Sequence, residues 1–209
     1  MKTLTLSQII LLTTLVLLAT ETLLIQLRWV RGHLTWRDSL ASITMRVGRD
    51  VANLLLAGAT VAVFTFVYRY RLFDISMQSP FAWAAIIVLD ELAYYVFHRL
   101  SHECRFWWAA HVNHHSSQEY NLSTALRQTW TGTLAGTWAP WFPLLLLGFP
   151  PKMVFLQSGF NLLYQFWIHT ETIRRMPAWF EYLFNSPSHH RVHHASNPAT
   201  SIEIMSASS

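Results

Sequence analysis

One stretch near the amino terminus constrains the fold more than any other feature of the sequence. Residues 4–27 are almost entirely apolar and carry a single charged side chain, Glu21. A helix needs about 20 apolar residues to cross the hydrocarbon core of a bilayer, whereas the apolar core of a secretory signal has only about 7–15. The stretch therefore predicts a retained membrane-spanning helix.

Four further apolar stretches and the overall composition indicate an integral membrane protein. Hydrophobic residues make up 52% of the 209 residues and charged residues only 12%, which is about half of the norm of about 25% for soluble proteins. The single cysteine excludes a disulfide framework and a cysteine-rich metal site. We predict an all-α fold, an integral membrane helical bundle of about four or five membrane segments. The further stretches are 51–67, 81–97, 130–149 and 153–168. Pro140 and Pro143 interrupt the third of these.

The distribution of basic residues predicts the orientation. If the stretches alternate in direction, eleven of the fifteen Lys and Arg residues lie on one side of the membrane, and the positive-inside rule assigns that side to the cytoplasm. Topology thus explains the net charge of +4, and no nucleic-acid partner is predicted. We expect one membrane domain over residues 1–209, in which residues 1–50 form the first span and a basic linker.

Ten of the eleven histidines fall on the predicted cytoplasmic side, mostly three or four residues apart. Side chains at that spacing share one face of a helix, so each cluster can direct two or three imidazoles to one point. Imidazole suits iron, zinc, copper and nickel, and the imidazoles outnumber the ligands that one ion takes, which favours two ions. The candidate ligands in this histidine-rich cap are His98, His102, His111, His114, His115, His169, His190, His193 and His194.

Asp90 is an ionisable residue within the third apolar stretch, and such residues are candidates for function. At four-residue intervals it shares a helix face with Tyr94, His98 and His102. Because Asp90 would lie about 12 Å from His98 along the helix axis, it cannot easily bind the same metal. Two interpretations stay open: Asp90 orients a histidine or tyrosine beside the metal, or it pairs with an arginine or tyrosine and stabilises the bundle.

The three clusters carry a resemblance to a known family. They read His98-Arg-Leu-Ser-His102, His111-Val-Asn-His114-His115 and His190-Arg-Val-His193-His194. This pattern resembles the fatty acid hydroxylase/sterol desaturase superfamily of integral-membrane, histidine-rich di-iron oxidoreductases, and the resemblance covers residues 51–198. The segments that look like the alkylglycerol monooxygenase branch and its bacterial sterol desaturase-like relatives are 114–128, 165–171 and 185–194.

The resemblance implies an O2-dependent hydroxylase or monooxygenase that acts on a membrane lipid or alkyl chain. It implies that the eight motif histidines, joined by His169, hold two iron ions, and that Glu103 acts at the site. An external electron donor is expected because the chain has no glycine-rich nucleotide motif, and the alkylglycerol branch suggests tetrahydrobiopterin. The expected location is the bacterial inner membrane, or the endoplasmic reticulum of a eukaryote, with the histidines on the cytoplasmic side.

The end of the sequence and the histidine count leave two alternatives. Residues 199–209 do not resemble the family and read as an atypical, shortened tail. This favours, as one alternative, a membrane protein that binds metal without catalysis. The other alternative, a bis-histidine haem electron carrier, needs only two histidines for each haem and so leaves most of the clusters unexplained.

Overall fold

The computed structural model describes residues 5–195, and the predicted all-α fold is confirmed: no strand occurs within that range. The atypical tail predicted at 199–209 lies outside the described residues. Short 3-10 turns at His114–Ser116, Thr124–Leu126 and Ala139–Trp141 join some of the helices. The helices are α1 (Leu6–Gln26), α2 (Trp36–Tyr68), α3 (Pro80–Glu103), α4 (Arg105–His111), α5 (Phe142–Leu147), α6 (Pro151–Trp167), α7 (Ala178–Leu183) and α8 (Pro187–His193).

Three of these helices are long and apolar enough to cross a membrane, namely α1, α2 and α3. The start of α1 is fixed by a capping box, in which Thr5 and Gln8 exchange side-chain and backbone hydrogen bonds. The start of α3 has the hydroxyl of Ser79 as its N-cap and Pro80 in its first turn. The chain is therefore an integral membrane protein, as the first three apolar stretches predicted.

The basic segment that we expected to form a linker is helical from Trp36 onward. Helix α2 runs for 33 residues, because residues 36–50 contain no proline and Asp38 in the first turn complements the helix dipole. The high charge made this segment resemble a loop. As a consequence, Arg49 and Asn53 lie one turn apart on a membrane-spanning helix.

The proline-interrupted stretch 130–149 forms turns followed by the short helix α5. Irregular backbone is tolerated at membrane depth only where the protein satisfies its polar groups. Indole N–H groups satisfy two of the backbone carbonyls in this stretch. Trp138 donates to the carbonyl of Thr133 at 2.9 Å, and Trp107 donates to that of Ala135 at 3.0 Å. Helix α5 ends at Gly148, whose φ of 114° lies in the left-handed region that favours glycine.

Two compact units make up the described chain. The unit that we call the α1 unit comprises residues 5–43, 115–127 and 163–195, and the α3 unit comprises residues 44–114 and 128–162. Ile86, Leu145 and Met153, none of which is exposed, form the centre of the larger core in the α3 unit. The smaller core of the α1 unit consists of Leu122, Leu126 and Phe166. The single domain expected from the sequence stays a prediction.

Candidate metal centre

Three histidines converge in the α3 unit. His98 and His102 lie one turn apart on α3, and the extended backbone at Cys104 separates α3 from α4, which carries His111 and packs against α3. The ring centroids lie 4.9–5.0 Å apart, and one nitrogen of each ring lies within 4.8 Å of a nitrogen of the others. This α3 triad could place three nitrogen ligands around one ion.

His114 stands beside the α3 triad. Its ring centroid is 5.3 Å from that of His111, and its side chain is buried. The amide Nε2 of Gln128 lies 3.3 Å from Nδ1 of His114. The two ends of the Gln128 amide can exchange places, and with its oxygen at this position Nδ1 carries the proton and donates, which leaves the lone pair of Nε2 for a metal. The contact fixes the orientation of the ring.

A second triad forms in the α1 unit from His169, which follows α6, and from His190 and His194 at α8. One nitrogen of each ring lies within 4.8 Å of a nitrogen of the others, and the Nε2 atoms of His169 and His190 are only 2.9 Å apart. Two imidazoles bound to one ion at about 2.0–2.1 Å, at right angles, have nitrogens about 3 Å apart. The spacing in this α1 triad thus fits a shared metal ion.

The protonation of His169 also suits a metal ligand. Its Nδ1 lies 2.6 Å from the carbonyl oxygen of Gln165, and because a carbonyl can only accept, Nδ1 carries the proton and Nε2 keeps its lone pair. Burial lowers the pKa of His169 to about 4. The ring is therefore neutral near neutral pH, as metal coordination requires.

His115 and His193 lie next to the α1 triad. The ring of His115 stacks on that of His194 at 4.3 Å and lies 4.8 Å from that of His193. Tyr120 donates its hydroxyl to the carbonyl of Ile168 at 3.0 Å, and burial raises the pKa of this hydroxyl well above its usual value. Tyr120 thus remains a hydrogen-bond donor and fixes the backbone next to His169.

Buried polar contacts attach the histidine-bearing segments of the α1 unit to its membrane helices. Glu21 of α1 accepts hydrogen bonds from the backbone of Leu122 at 2.6 Å and from the hydroxyl of Thr170. Arg127 donates to Asp38 at 2.5 Å, and the hydroxyl of Ser117 donates to the same carboxylate at 2.6 Å. These contacts hold residues 115–127, and the segment that follows His169, in fixed positions.

The α3 unit also encloses two cavities. The larger one, of about 480 Å³, has a mostly apolar lining between α2 and α6, and the smaller one, of about 90 Å³, reaches His111 and Gln128. The same residues line both cavities where they adjoin, and we call this group the neck: Arg49, Asn53, Phe97, Thr133 and Thr137. The apolar cavity therefore adjoins, at the neck, a smaller cavity that reaches His111 of the α3 triad.

Comparison with known proteins identifies the family. Residues 83–206 match the family model described as fatty acid hydroxylase. The chain belongs to the fatty acid hydroxylase family. It is 41% identical over 161 residues to alkylglycerol monooxygenase of Homo sapiens and 38% identical over 177 residues to that of Xenopus tropicalis, alignments that cover 77% and 84% of this chain.

These alignments cover only part of the relatives. The chain spans 36% of the length of the human protein and 39% of that of the Xenopus tropicalis protein. No solved structure matches the chain. The family membership therefore rests on the sequence.

The structure gives Asp90 a clear set of partners. The carboxylate is fully buried and accepts hydrogen bonds from the indole of Trp141 at 2.6 Å, the hydroxyl of Ser158 at 2.8 Å and the amide of Asn161 at 3.0 Å. These contacts join α3 to α6 and to the segment before α5. They favour the interpretation in which Asp90 stabilises the bundle, although the partners differ from the arginine or tyrosine that we expected.

Glu103, which was predicted to act at the site, and the two histidines outside the candidate ligand set lie at exposed positions. Glu103, at the end of α3, is exposed and forms a salt bridge of 2.9 Å with Arg99. Its predicted role at the metal site stays a prediction. His33 is 84% exposed and lies 3.4 Å from Glu171, and His189 is exposed on α8. Neither of these two histidines belongs to a triad.

Sequence reasoning missed Arg49, Asn53 and Glu181. Arg49 and Asn53 line the neck, but Arg49 was counted as one charge in a basic linker. Their four-residue spacing places them on one helix face, but it does not indicate that this face lines a cavity. Glu181 accepts hydrogen bonds from the hydroxyls of Ser186 and Ser188 at the start of α8. No local sequence pattern predicts that contact.

Proposed function

We propose that the chain is an O2-dependent lipid hydroxylase or monooxygenase that holds two iron ions. One observation carries the proposal: two convergent imidazole triads occur in a membrane protein whose apolar cavity leads toward one of them. The family and the alkylglycerol monooxygenase relatives support this reaction class. A C–H bond and O2, with two electrons and two protons, give C–OH and water.

The residues of the chain fit iron as the metal. Nine imidazoles supply neutral nitrogen ligands, which suit iron and resist the oxidation that thiolates undergo. When bound, the irons supply the oxidising power that no side chain has. His169 is held in the required tautomer by Gln165, as expected of the contacts that orient metal ligands.

The cavity supports a lipid substrate. Its lining includes Ala57 and Val61 of α2 and Phe155 and Leu162 of α6, and all four are exposed at the surface between the two helices. An alkyl chain can therefore enter from the bilayer without crossing water. Once it is inside, the alkyl chain of the lipid excludes water from the cavity that lies toward the α3 triad.

The remaining parts of the proposal concern the surroundings of the protein. The basic residues favour a cytoplasmic position for the histidines, in a bacterial inner membrane or the endoplasmic reticulum. The electrons come from an external donor, and the resemblance to alkylglycerol monooxygenase favours tetrahydrobiopterin. Oxidation of an alkylglycerol by this chain is proposed from the same relatives.

The test combines metal analysis with a single turnover. The detergent-purified chain is expected to contain about two irons and no Soret band. After chemical reduction, which bypasses the unknown donor, exposure to 18O2 should give a product that carries one 18O atom, either from an alkylglycerol or from a single-chain lipid with an anionic headgroup. His190→Ala should abolish the product and His33→Ala should not. A Soret band would indicate a haem electron carrier, and bound iron without product would indicate a protein that binds metal but does not catalyse.

A further inference from the structure

Arg49 is a charged residue on a membrane-spanning helix and lines both cavities of the α3 unit. Within residues 5–195, its guanidinium forms neither a hydrogen bond nor a salt bridge. The carboxylate of Asp50 pairs instead with Arg46 at 2.8 Å. Arg49 lies just before the uncharged stretch 51–67 and is half-buried. A charge that is withdrawn from water is costly unless it is paired or serves a ligand, so the unpaired guanidinium points to a ligand.

The neck offers hydrogen-bond donors to such a ligand. The hydroxyl of Thr133 donates to Oδ1 of Asn53 at 2.7 Å, which orients the amide NH2 of Asn53 away from that contact. The hydroxyl of Thr137 donates to the carbonyl of Gly132 at 2.9 Å. Arginine has five N–H donors and no acceptor. The group that binds here must therefore accept hydrogen bonds, as the oxygens of a carboxylate or phosphate do.

The larger cavity specifies what is attached to that group. Its wall on α2 extends from Arg49 to Phe64, about 22 Å along the helix axis, and one leaflet contributes about half of the 30 Å hydrocarbon thickness of a bilayer. At the far end, Phe64 is buried and stacks on Phe155 at a centroid distance of 4.8 Å. The cavity is thus long enough for one lipid tail, with the neck at one of its ends.

We propose that Arg49 and Asn53 form an oxyanion site that selects single-chain anionic lipids. The carboxylate or phosphate lies at the neck, and the alkyl chain fills the larger cavity. Charge-assisted hydrogen bonds to a guanidinium are about twice as strong as neutral ones, and the apolar surroundings strengthen them further. The inference deepens the proposed function, on which it rests for the assumption that the bound lipid is the substrate. It replaces the neutral alkylglycerol as the preferred substrate with a single-chain lipid that carries an anionic headgroup.

The test measures binding without turnover, so that its result does not depend on catalysis. The full chain, purified in a neutral detergent, is titrated with three radiolabelled lipids of one chain length: hexadecanoate, hexadecyl phosphate and hexadecylglycerol. We expect at least one anionic lipid to bind about tenfold more tightly than the neutral one, because hydrogen bonds to a charged group contribute enough free energy for such a difference in affinity. If only one of the two anionic lipids binds more tightly, that result identifies the headgroup as a carboxylate or a phosphate and supports the oxyanion site.

Variants connect this preference to Arg49. Arg49→Gln should weaken anion binding by about tenfold and leave hexadecylglycerol within about twofold, since the apolar cavity is unchanged. The matched control is Arg46→Gln, one turn earlier and already paired with Asp50, which should change none of the three affinities. If Arg49→Gln does not fold, Arg49→Lys keeps the charge without the planar fork and should retain a weaker preference for anions.

Two results would overturn the oxyanion site: equal binding of neutral and anionic lipids by the unmodified chain, or equal weakening of all three lipids by Arg49→Gln. Failure of the proposed function looks different. The chain would then bind anionic lipids selectively through Arg49 but would give no 18O-labelled product from any of the three lipids after reduction.

Discussion

At the scale of single residues, Asp90 is expected to contribute more to stability than any neighbouring carboxylate on α3. Asp90→Asn keeps the shape but turns one acceptor into a donor, which opposes the N–H or O–H of Trp141, Ser158 or Asn161. An unsatisfied buried donor costs about 1–3 kcal/mol, so the apparent melting temperature in detergent should fall. Glu91→Gln, at the next and exposed position, should leave it nearly unchanged. A stable Asp90→Asn protein that has lost its iron would instead assign Asp90 to the metal site.

The candidate site could be predicted from the sequence to the extent that it depends on local spacing. His98 and His102, four residues apart on α3, join one triad because that spacing places side chains on one face of a helix. The role of Arg49 could not be predicted in this way. It lines the neck only because α2 packs beside Thr133 and Thr137, about 85 residues away in the sequence, and no local pattern encodes that contact.

At the scale of helices, two glycines of α2 should respond to alanine in opposite directions. A Cβ atom at Gly48 would lie 2.2 Å from the indole of Trp130, whereas a Cβ at Gly58 would meet nothing within 4 Å. Gly48→Ala should therefore destabilise the protein by about 1–3 kcal/mol, the usual cost of overpacking. Gly58→Ala should stabilise α2 by about 0.5–1 kcal/mol, because alanine loses less backbone entropy than glycine. Melting temperatures of the two variants in one detergent would test this, and a shift in the same direction for both would contradict it.

The attachment of α8 should depend on pH through Glu181. Burial raises the pKa of this carboxyl, but hydrogen bonds from Ser188, the Met176 backbone, Ser186 and Arg175 outweigh it and hold the pKa below its usual 4.5. A lowered pKa means that ionised Glu181 stabilises the folded state above about pH 4.5 and that this stabilisation disappears as the pH falls below it.

Glu181→Gln is therefore expected to lower stability near neutral pH by about 2 kcal/mol, with a smaller difference from the unmodified chain below pH 4.5. Histidine protonation affects both proteins equally and cancels in this comparison. The control is Asp74→Asn, which removes an exposed partner of Arg71 and should have little effect. Parallel pH profiles for the unmodified chain and Glu181→Gln would show that the carboxylate does not stabilise the fold by its charge.

The helices also show where sequence patterns were insufficient. The apolar stretches predicted α1 and α3 because length and hydropathy alone define a membrane span. The start of α2 at Trp36 was missed because a dense group of charges resembles a loop, although residues 36–50 contain no proline that would prevent a helix. The interruption of the stretch 130–149 was anticipated from Pro140 and Pro143, but the indole of Trp107, which satisfies the carbonyl of Ala135, reaches it through tertiary packing.

At the scale of the whole molecule, the two triads predict how much iron the chain holds. If each triad is the core of one metal site, His111→Ala and His190→Ala should each lower the iron content from about two to about one per chain, because three protein ligands are about the minimum for a stable site. The double variant should contain almost none. His33→Ala and His189→Ala change exposed histidines outside the triads and should keep both ions.

Iron analysis of the detergent-purified variants, beside their melting temperatures, tests this arrangement. Bound metal stabilises a protein only where the folded state provides the site, so a variant that loses one ion should melt at a lower temperature and still unfold cooperatively. His190 is 4% exposed and its Nε2 lies 2.9 Å from that of His169. Without metal, Nε2–H of His190 can donate one hydrogen bond to the lone pair of His169, whereas a bound ion is held by both rings. His190→Ala should therefore cost less stability in the metal-free chain than in the loaded chain. An equal cost in both would mean that the α1 triad is a packing feature and holds no ion.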